Sequence, residues 1–358
     1  MTWGLRAGAS TAAAFSLVFC GAVSAQDTPP PPSTPIEQVG AASSSDAGRA
    51  LQRLLSADRR VARVAYRLSV ANRDLCRDQG PQWGMTLHSA SQYGPRLRPA
   101  LQSAYAIGDR VAVSAVVPQG PAERAGLREG DQILSVDGAS LPGPRRATGP
   151  ADYAQTEAAW RAFAGAPAAG AVVRAERGGQ VFTAVLTPVQ GCAYDTQVTP
   201  SEDLNGAADG RHVMINIGYV DFAERDEDLA IGLGHELAHD VLQHREQLDR
   251  TGFARSVLGN LGSSPASINR VEREADYVGL YLVARAGYPL DGVEAYWRRI
   301  IARQGDAWFW RWPYPSSHQR LESARATVAE IEGLVRAGQP LVPDLERLRH
   351  REAEARGR

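Results

Sequence analysis

The sequence predicts an α+β protein in two parts, a mainly helical unit with a small edge sheet and, ahead of it, a β-rich module. Three observations lead there. Two late segments, 226–247 and 271–286, repeat apolar residues at helical spacing. The stretch 111–186 instead holds short β-prone runs separated by glycine-containing turns. A length of 358 residues exceeds what one hydrophobic core usually supports, and 44% hydrophobic with 22% charged residues is ordinary for folded globular domains. The net charge of -1 argues against phosphate-driven binding of nucleic acid.

At the amino terminus, Arg6 precedes an apolar run from Thr11 to Val23, and Val23-Ser24-Ala25 is a small-x-small site. Residues 1–25 therefore read as a signal peptide cleaved after Ala25, which makes the chain periplasmic or secreted. The run is short for a membrane span, so an uncleaved membrane anchor is a weaker reading. Lipidation at Cys20 is the weaker reading, because the bulky Phe19 stands where a small residue is wanted. Residues 26–45, rich in Pro, Ser, Thr and Ala, form a flexible linker, and 46–75 an amphipathic N-terminal helix. Signal removal leaves Cys76 and Cys192, an even pair in an oxidising compartment, so a disulfide is expected across the intervening module.

That module spans 76–190. Val111 to Val117 is a short strand; after it Ala122, Ala125 and Gly126 start a brief helix, Gly130-Asp131 turns into the next strand, and Gly138 closes a hairpin-like turn. A helix near Thr156 to Ala164 and a strand pair, Val172 to Arg177 and Val181 to Leu186 across Gly178-Gly179, complete it. The string from Pro118 to Gly138 closely resembles bacterial PDZ domains. That resemblance implies a groove that takes a peptide as an added strand, with Gly84, Met85, Thr86 and Leu87 as the candidate loop for its terminal carboxylate.

The helical unit, 191–341, carries His235-Glu236-Leu237-Ala238-His239. Leu229, Ala230, Leu233, Leu237, Ala238, Val241 and Leu242 give the surrounding segment, Asp226 to Gln247, a helical period, and acidic residues crowd its first turn, where the helix dipole favours them. Residues four apart share one helix face, so His235 and His239 can both ligate one zinc ion, with Glu236 beside them as general base. A metzincin would place Gly at 242 and His at 245, but Leu242 and Arg245 stand there. His244 is turned off the ligand face and reads as an exposed helix residue. The third ligand should then be a glutamate on the helix Val271 to Ala286, which ends at Gly287; Glu272 and Glu274 are the candidates, pointing to opposite sides. Asp276, one turn beyond Glu272, can hold a ligand histidine's outer ring nitrogen.

His-Glu-x-x-His followed by Glu-x-Glu-Ala-Asp resembles the gluzincin group that contains HtpX and the CAAX prenyl proteases, above all its soluble, periplasmic BepA-like members. The resemblance runs from about Asp209 to Leu341. It implies one Zn2+ per chain on His235, His239 and Glu272, Glu236 as base, and an edge strand that pairs with extended substrate, for which Val213 to Val220 fits. The family's His-Pro followed by Arg becomes Tyr314-Pro315 and Arg320 here. Tyr314 is expected to assist catalysis by donating to an oxyanion, His318 is the other candidate, and Arg320 supports the site with Asp276. Residues 342–358 read as a C-terminal tail. Together these features lead us to expect an endopeptidase acting on misfolded or unassembled envelope polypeptides, with envelope assembly machinery as a possible partner. The alternative is a zinc-containing binding protein or assembly chaperone that seldom cuts.

Overall fold

The computed structural model describes residues 44–105, 107–250, 265–304 and 315–356. The expected signal peptide, all of the linker but its last two residues, and Tyr314 lie outside the described residues.

Helix α1 (Ser44–Ala71) buries Leu51, Leu54, Leu55, Val61, Val64 and Leu68 along one face. Each such side chain contributes roughly 1.5–3 kcal/mol when fully buried. Its arginines reach later parts of the chain: Arg53 to Asp221 and Glu202, Arg60 and Arg63 to Asp226, and Arg67 to the Gly287 carbonyl. The helix stops four residues short of the expected Leu75, and Arg73–Leu75 form a 3-10 turn.

Next in order come β1 (Gln79–Gln82), β2 (Met85–His88), α2 (Arg98–Tyr105), β3 (Ala112–Val116), α3 (Pro121–Arg124), β4 (Gln132–Val136), β5 (Ala139–Ser140), α4 (Ala154–Ala164), β6 (Ala171–Arg177), β7 (Gln180–Leu186) and β8 (Val189–Cys192). One antiparallel sheet runs β2-β3-β4-β6-β7, with β5 on β4. Two tight turns set its register. Asp137 (φ 47°) and Gly138 (φ 78°) join β4 to β5, and Gly178 (φ 56°) and Gly179 (φ 80°) join β6 to β7; paired positive φ values give the turn whose twist matches antiparallel strands. The sheet and α4 enclose a core of their own, including Trp83, Leu87, Ile133, Phe163 and Leu186. At its base β1 pairs with β8, and the Cys76–Cys192 disulfide (Cα–Cα 5.5 Å) closes the module where it leaves and rejoins the helical unit.

The rest of the chain forms β9 (Asp195–Thr199), β10 (Gly206–Ala208), β11 (His212–Asn216), α5 (Ile217–Phe222), α6 (Asp226–Val241), α7 (His244–Arg250), α8 (Pro265–Arg285), α9 (Val293–Gln304), α10 (Ser317–Arg336) and α11 (Leu345–Arg356). With α1 they share a second core, in which Leu51, Leu68, Leu229, Leu237, Tyr281 and Leu282 are fully buried. The protein is thus α+β, a helical unit and a β-rich module.

Two expectations change here. Val213 to Val220 is not one edge strand: β11 ends at Asn216, the chain turns helical as α5, and β11 lies in the middle of the order β10-β11-β9. The edge is β10. Nor is 342–356, the described part of 342–358, a tail: α11 packs Leu348 into the core and pairs Arg347 and Arg351 with Glu330.

Candidate active site

Helices α6 and α8 cross with glycine on glycine. A Cβ on Gly279 would lie 2.9 Å from the His235 nitrogen and 3.0 Å from the Gly234 carbonyl carbon, so the two backbones touch. This close approach brings side chains of the two helices within reach of one another. At the start of α6 the Arg225 amide donates to the buried Asp228 carboxylate (3.1 Å), which Arg299 also reaches (2.8 Å), fixing the helix on its axis.

Three side chains converge. His235 Nε2 and His239 Nε2 are 3.2 Å apart; Glu272 Oε2 lies 3.5 Å from the first and Glu272 Oε1 3.8 Å from the second. One donor atom from each lies within 4.8 Å of the others. A tetrahedral zinc with ring nitrogens at about 2.0–2.1 Å sets them roughly 3.3 Å apart, so the donor set fits that ion in type and spacing. Asp276 Oδ1 takes the outer nitrogen of His235 at 3.0 Å. Arg320 grips both Asp276 oxygens (2.7 and 2.5 Å) and stacks over Trp297. It is positioned by a capping box at the head of α10, where the Ser316 hydroxyl accepts the Gln319 amide and the Gln319 side chain accepts the Ser316 amide.

The electrostatics are those of a cation site. Burial lowers the His235 pKa, but hydrogen bonds to Asp276 and Glu272 overcome it and raise the ring to about 10. Burial pulls His239 down to about 3. Glu272 is lowered to about 2 against its burial by the His235 hydrogen bond and the His239 ring, and Asp276 falls well below the usual carboxylate range, chiefly through Arg320. A proton on His235 thus sits where a metal ion would balance the same carboxylates. Burial pushes Glu236 up to about 7. Its carboxyl lies under the edge strand: a Cβ on Gly206 of β10 would be 2.7 Å from Glu236 Oε1.

His244 corrects the sequence-based expectation. It is 1% exposed, not a surface residue, with Nδ1 3.0 Å from His239 Nδ1 and Nε2 3.2 Å from Glu274 Oε2. The cause is a break. α6 ends at Val241, and Gln243 adopts φ 54°, so α7 restarts on a new axis and returns the ring to the site. Glu274 points away from the three donors, toward His244, Arg270 (2.6 Å) and Arg349 (3.4 Å). A non-glycine residue at positive φ leaves little trace in a sequence, and neither the break nor the second ring was anticipated. His318 stands exposed in the first turn of α10.

In the β-rich module only Gly84, at φ 69°, lies in a loop; Met85, Thr86 and Leu87 belong to β2, so the expected carboxylate loop is mostly strand. Met85 and Leu87 face the core, and the Thr86 hydroxyl pairs with Ser114 at 2.8 Å. β2 is the terminal strand of its sheet.

Residues 112–156 match the PDZ domain family PDZ_6. Over 144 residues the chain is 26% identical to mitochondrial metalloendopeptidase OMA1 of Schizosaccharomyces pombe, a match covering 34% of this chain and 43% of that protein. The chain therefore spans under half the length of this curated relative. Among solved structures, the HtrA3 PDZ domain bound to a phage-derived ligand matches 31% of this chain and 88% of its own length, at 18% identity and a TM-score of 0.23. The HtrA-type protease AlgW with a decapeptide matches 32% of this chain and 29% of its own, at 22% identity and a TM-score of 0.21. Among the described residues no helix is long and apolar enough to cross a membrane. The chain contains a PDZ domain and shares distant sequence similarity with a metalloendopeptidase.

Proposed function

We propose that the chain is a zinc-dependent endopeptidase of the gluzincin type, related to the HtpX and CAAX prenyl protease group and to its BepA-like members. It would cleave misfolded or unassembled polypeptides of the cell envelope after export to the periplasm. One observation carries this reading: two imidazole nitrogens and a glutamate oxygen, from α6 and α8, meet at one point. Zinc held by His235, His239 and Glu272 would supply Lewis acidity and lower the pKa of water toward about 7. Glu236, next to His235 and half-buried, accepts the proton and returns it to the leaving amine. Asp276 and Arg320 hold the His235 ring in the tautomer that leaves Nε2 free. Tyr314 is the candidate donor to the developing oxyanion.

Substrate binding follows from two free strand edges. β10 passes over Glu236 with one side paired to β11, and an extended polypeptide can add to its other side across the reacting groups. Cutting a chain held in its middle is endopeptidase chemistry. β2, from Gly84 onward, offers the PDZ groove a second edge for peptide docking. The disulfide suits the oxidising compartment that the cleaved leader implies.

The test is Glu236→Gln with unfolded casein as substrate. The unaltered protein is expected to contain one zinc per chain and to cut casein; the variant should keep the metal and lose cleavage by on the order of 100- to 10,000-fold. Cleavage unchanged in Glu236→Gln, or a purified protein that takes up no zinc, would overturn the assignment.

A further inference from the structure

We infer that His244 and Glu274 form a positioning relay that aims His239 at the metal, a role that rests on the zinc site proposed above. The proton count fixes the direction of the relay. A histidine that gives Nε2 to a cation must carry its ring proton on Nδ1. In His239 that nitrogen faces His244 Nδ1 at 3.0 Å, so His244 Nδ1 is the acceptor. The neutral His244 ring then carries its own proton on Nε2, which faces Glu274 Oε2 at 3.2 Å and donates to it. Each nitrogen along this path has one role.

The opposite arrangement conflicts with ligation. If His244 Nδ1 carried a proton, it would donate to His239 Nδ1 and force the His239 proton onto Nε2, which points at His235 Nε2 and Glu272. The relay therefore selects the ligand tautomer of His239, as Asp276 does for His235. It is also held from outside. His244 and Glu274 are 1% and 3% exposed, Arg270 Nη1 and Arg349 Nη2 grip the Glu274 carboxylate at 2.6 and 3.4 Å, and the Gln247 side chain closes α7 onto the Leu242 carbonyl at 2.7 Å. The His239 and His244 ring planes are inclined by 74° with centroids 4.9 Å apart, and their Nδ1 atoms face one another across 3.0 Å.

A network that merely glues α7 to α8 would affect stability and leave metal affinity alone. Zinc affinity measured by chelator competition, and the visible spectrum of the cobalt-loaded protein, separate the two roles. His244→Phe keeps a ring but removes the acceptor, and should weaken zinc binding by about 10- to 100-fold and alter the cobalt spectrum. His244→Asn places a carbonyl oxygen near the Nδ1 position and should restore most of the affinity. His244→Leu serves if the larger ring does not fold, with circular dichroism reporting the fold of each variant. Equal zinc affinity in the unaltered protein and the folded Phe or Leu variant overturns the relay, as does a folded Asn variant that binds as weakly as they do. Failure of the unaltered protein to bind zinc would instead sink the metal site itself.

Discussion

The two parts of the molecule treat buried charge in opposite ways. Among the described residues, the interior of the PDZ-containing module holds one buried carboxylate, Asp131, and it is matched: Arg177 reaches both its oxygens (2.6 and 2.7 Å) and the Arg128 amide donates to it. The helical unit instead gathers Asp228, His244, Glu274 and Asp276 in its interior, with the half-buried His235, Glu236, His239 and Glu272 alongside. Burying such groups costs several kcal/mol each unless partners compensate. A module that recognises a peptide by its backbone needs none of them. A unit that polarised an amide bond, as proposed above, would need several in one place, and α6 and α8 are pressed together where they gather. Alterations in the helical unit should therefore be severe and chemical in effect, and those in the module graded and structural.

The disulfide belongs to both parts and should give the largest stability effect. Cys76 and Cys192 are separated by 116 positions, and opening a loop of that size is worth about 5 kcal/mol in chain-closure entropy. Cys76→Ser with Cys192→Ser should lower the free energy of unfolding by an amount of that order in urea titration. Equal midpoints for the two proteins would mean that the module and the helical unit hold together without it.

Glycine substitutions sharpen the contrast directly. Gly279→Ala places a methyl 2.9 Å from backbone at the α6–α8 crossing, so the helices must separate; overpacking of this kind costs about 1–3 kcal/mol. Because His235 and Glu272 lie on opposite sides of that crossing, zinc affinity should fall with stability. Gly178→Ala meets open space, and its cost is the left-handed backbone alone, about 1–2 kcal/mol. Zinc affinity should not change. A Gly279→Ala protein that binds zinc normally would show that the crossing does not set the donor spacing.

Much of this could be read from residues in order. Helical period disclosed α6 and α8, paired glycine turns disclosed the β6–β7 hairpin, and cysteine parity disclosed the disulfide. What escaped was either nonlocal or conformationally silent. The β-branched run after Arg211 reads as one long strand, but only contacts with β9 and β10 decide that it ends at Asn216 and lies mid-sheet. Gly206 becomes meaningful only once β10 lies over Glu236. His244 reads as a surface residue as long as α6 is assumed continuous, and the positive φ at Gln243 carries no glycine to announce it. The charged Leu345–Arg356 segment has the composition of a tail and becomes a helix because Glu330, Glu274 and an apolar pocket for Leu348 await it.

A pH-dependent effect is expected at the seam between the two parts, where their opposite treatments of charge meet. Asp58 of α1 and His88 of β2 approach to 3.9 Å, with the Tyr93 hydroxyl on the other His88 nitrogen and Arg59 and Tyr153 nearby. Burial pushes Asp58 up from 3.8 to about 7 against the pull of Arg59, and pushes His88 down from 6.5 to about 4. Between about pH 4 and 7 the folded protein holds a proton on Asp58 that the unfolded chain has released, so this group makes stability fall with pH, by about 1.4 kcal/mol per unit. Between about pH 4 and 6.5 the unfolded chain holds a proton on His88 that the folded protein lacks, so this group makes stability rise by the same amount per unit. The two slopes cancel over that shared window. Relative to the unaltered protein, Asp58→Asn should therefore gain stability with rising pH and His88→Gln should lose it, each by about 1 kcal/mol per unit in urea titrations at pH 4.5, 5.5 and 6.5. Groups elsewhere titrate alike in all three proteins and drop out of the differences. Three parallel pH profiles would show that the seam opens to water and that the helical unit and the module do not share a sealed interior there.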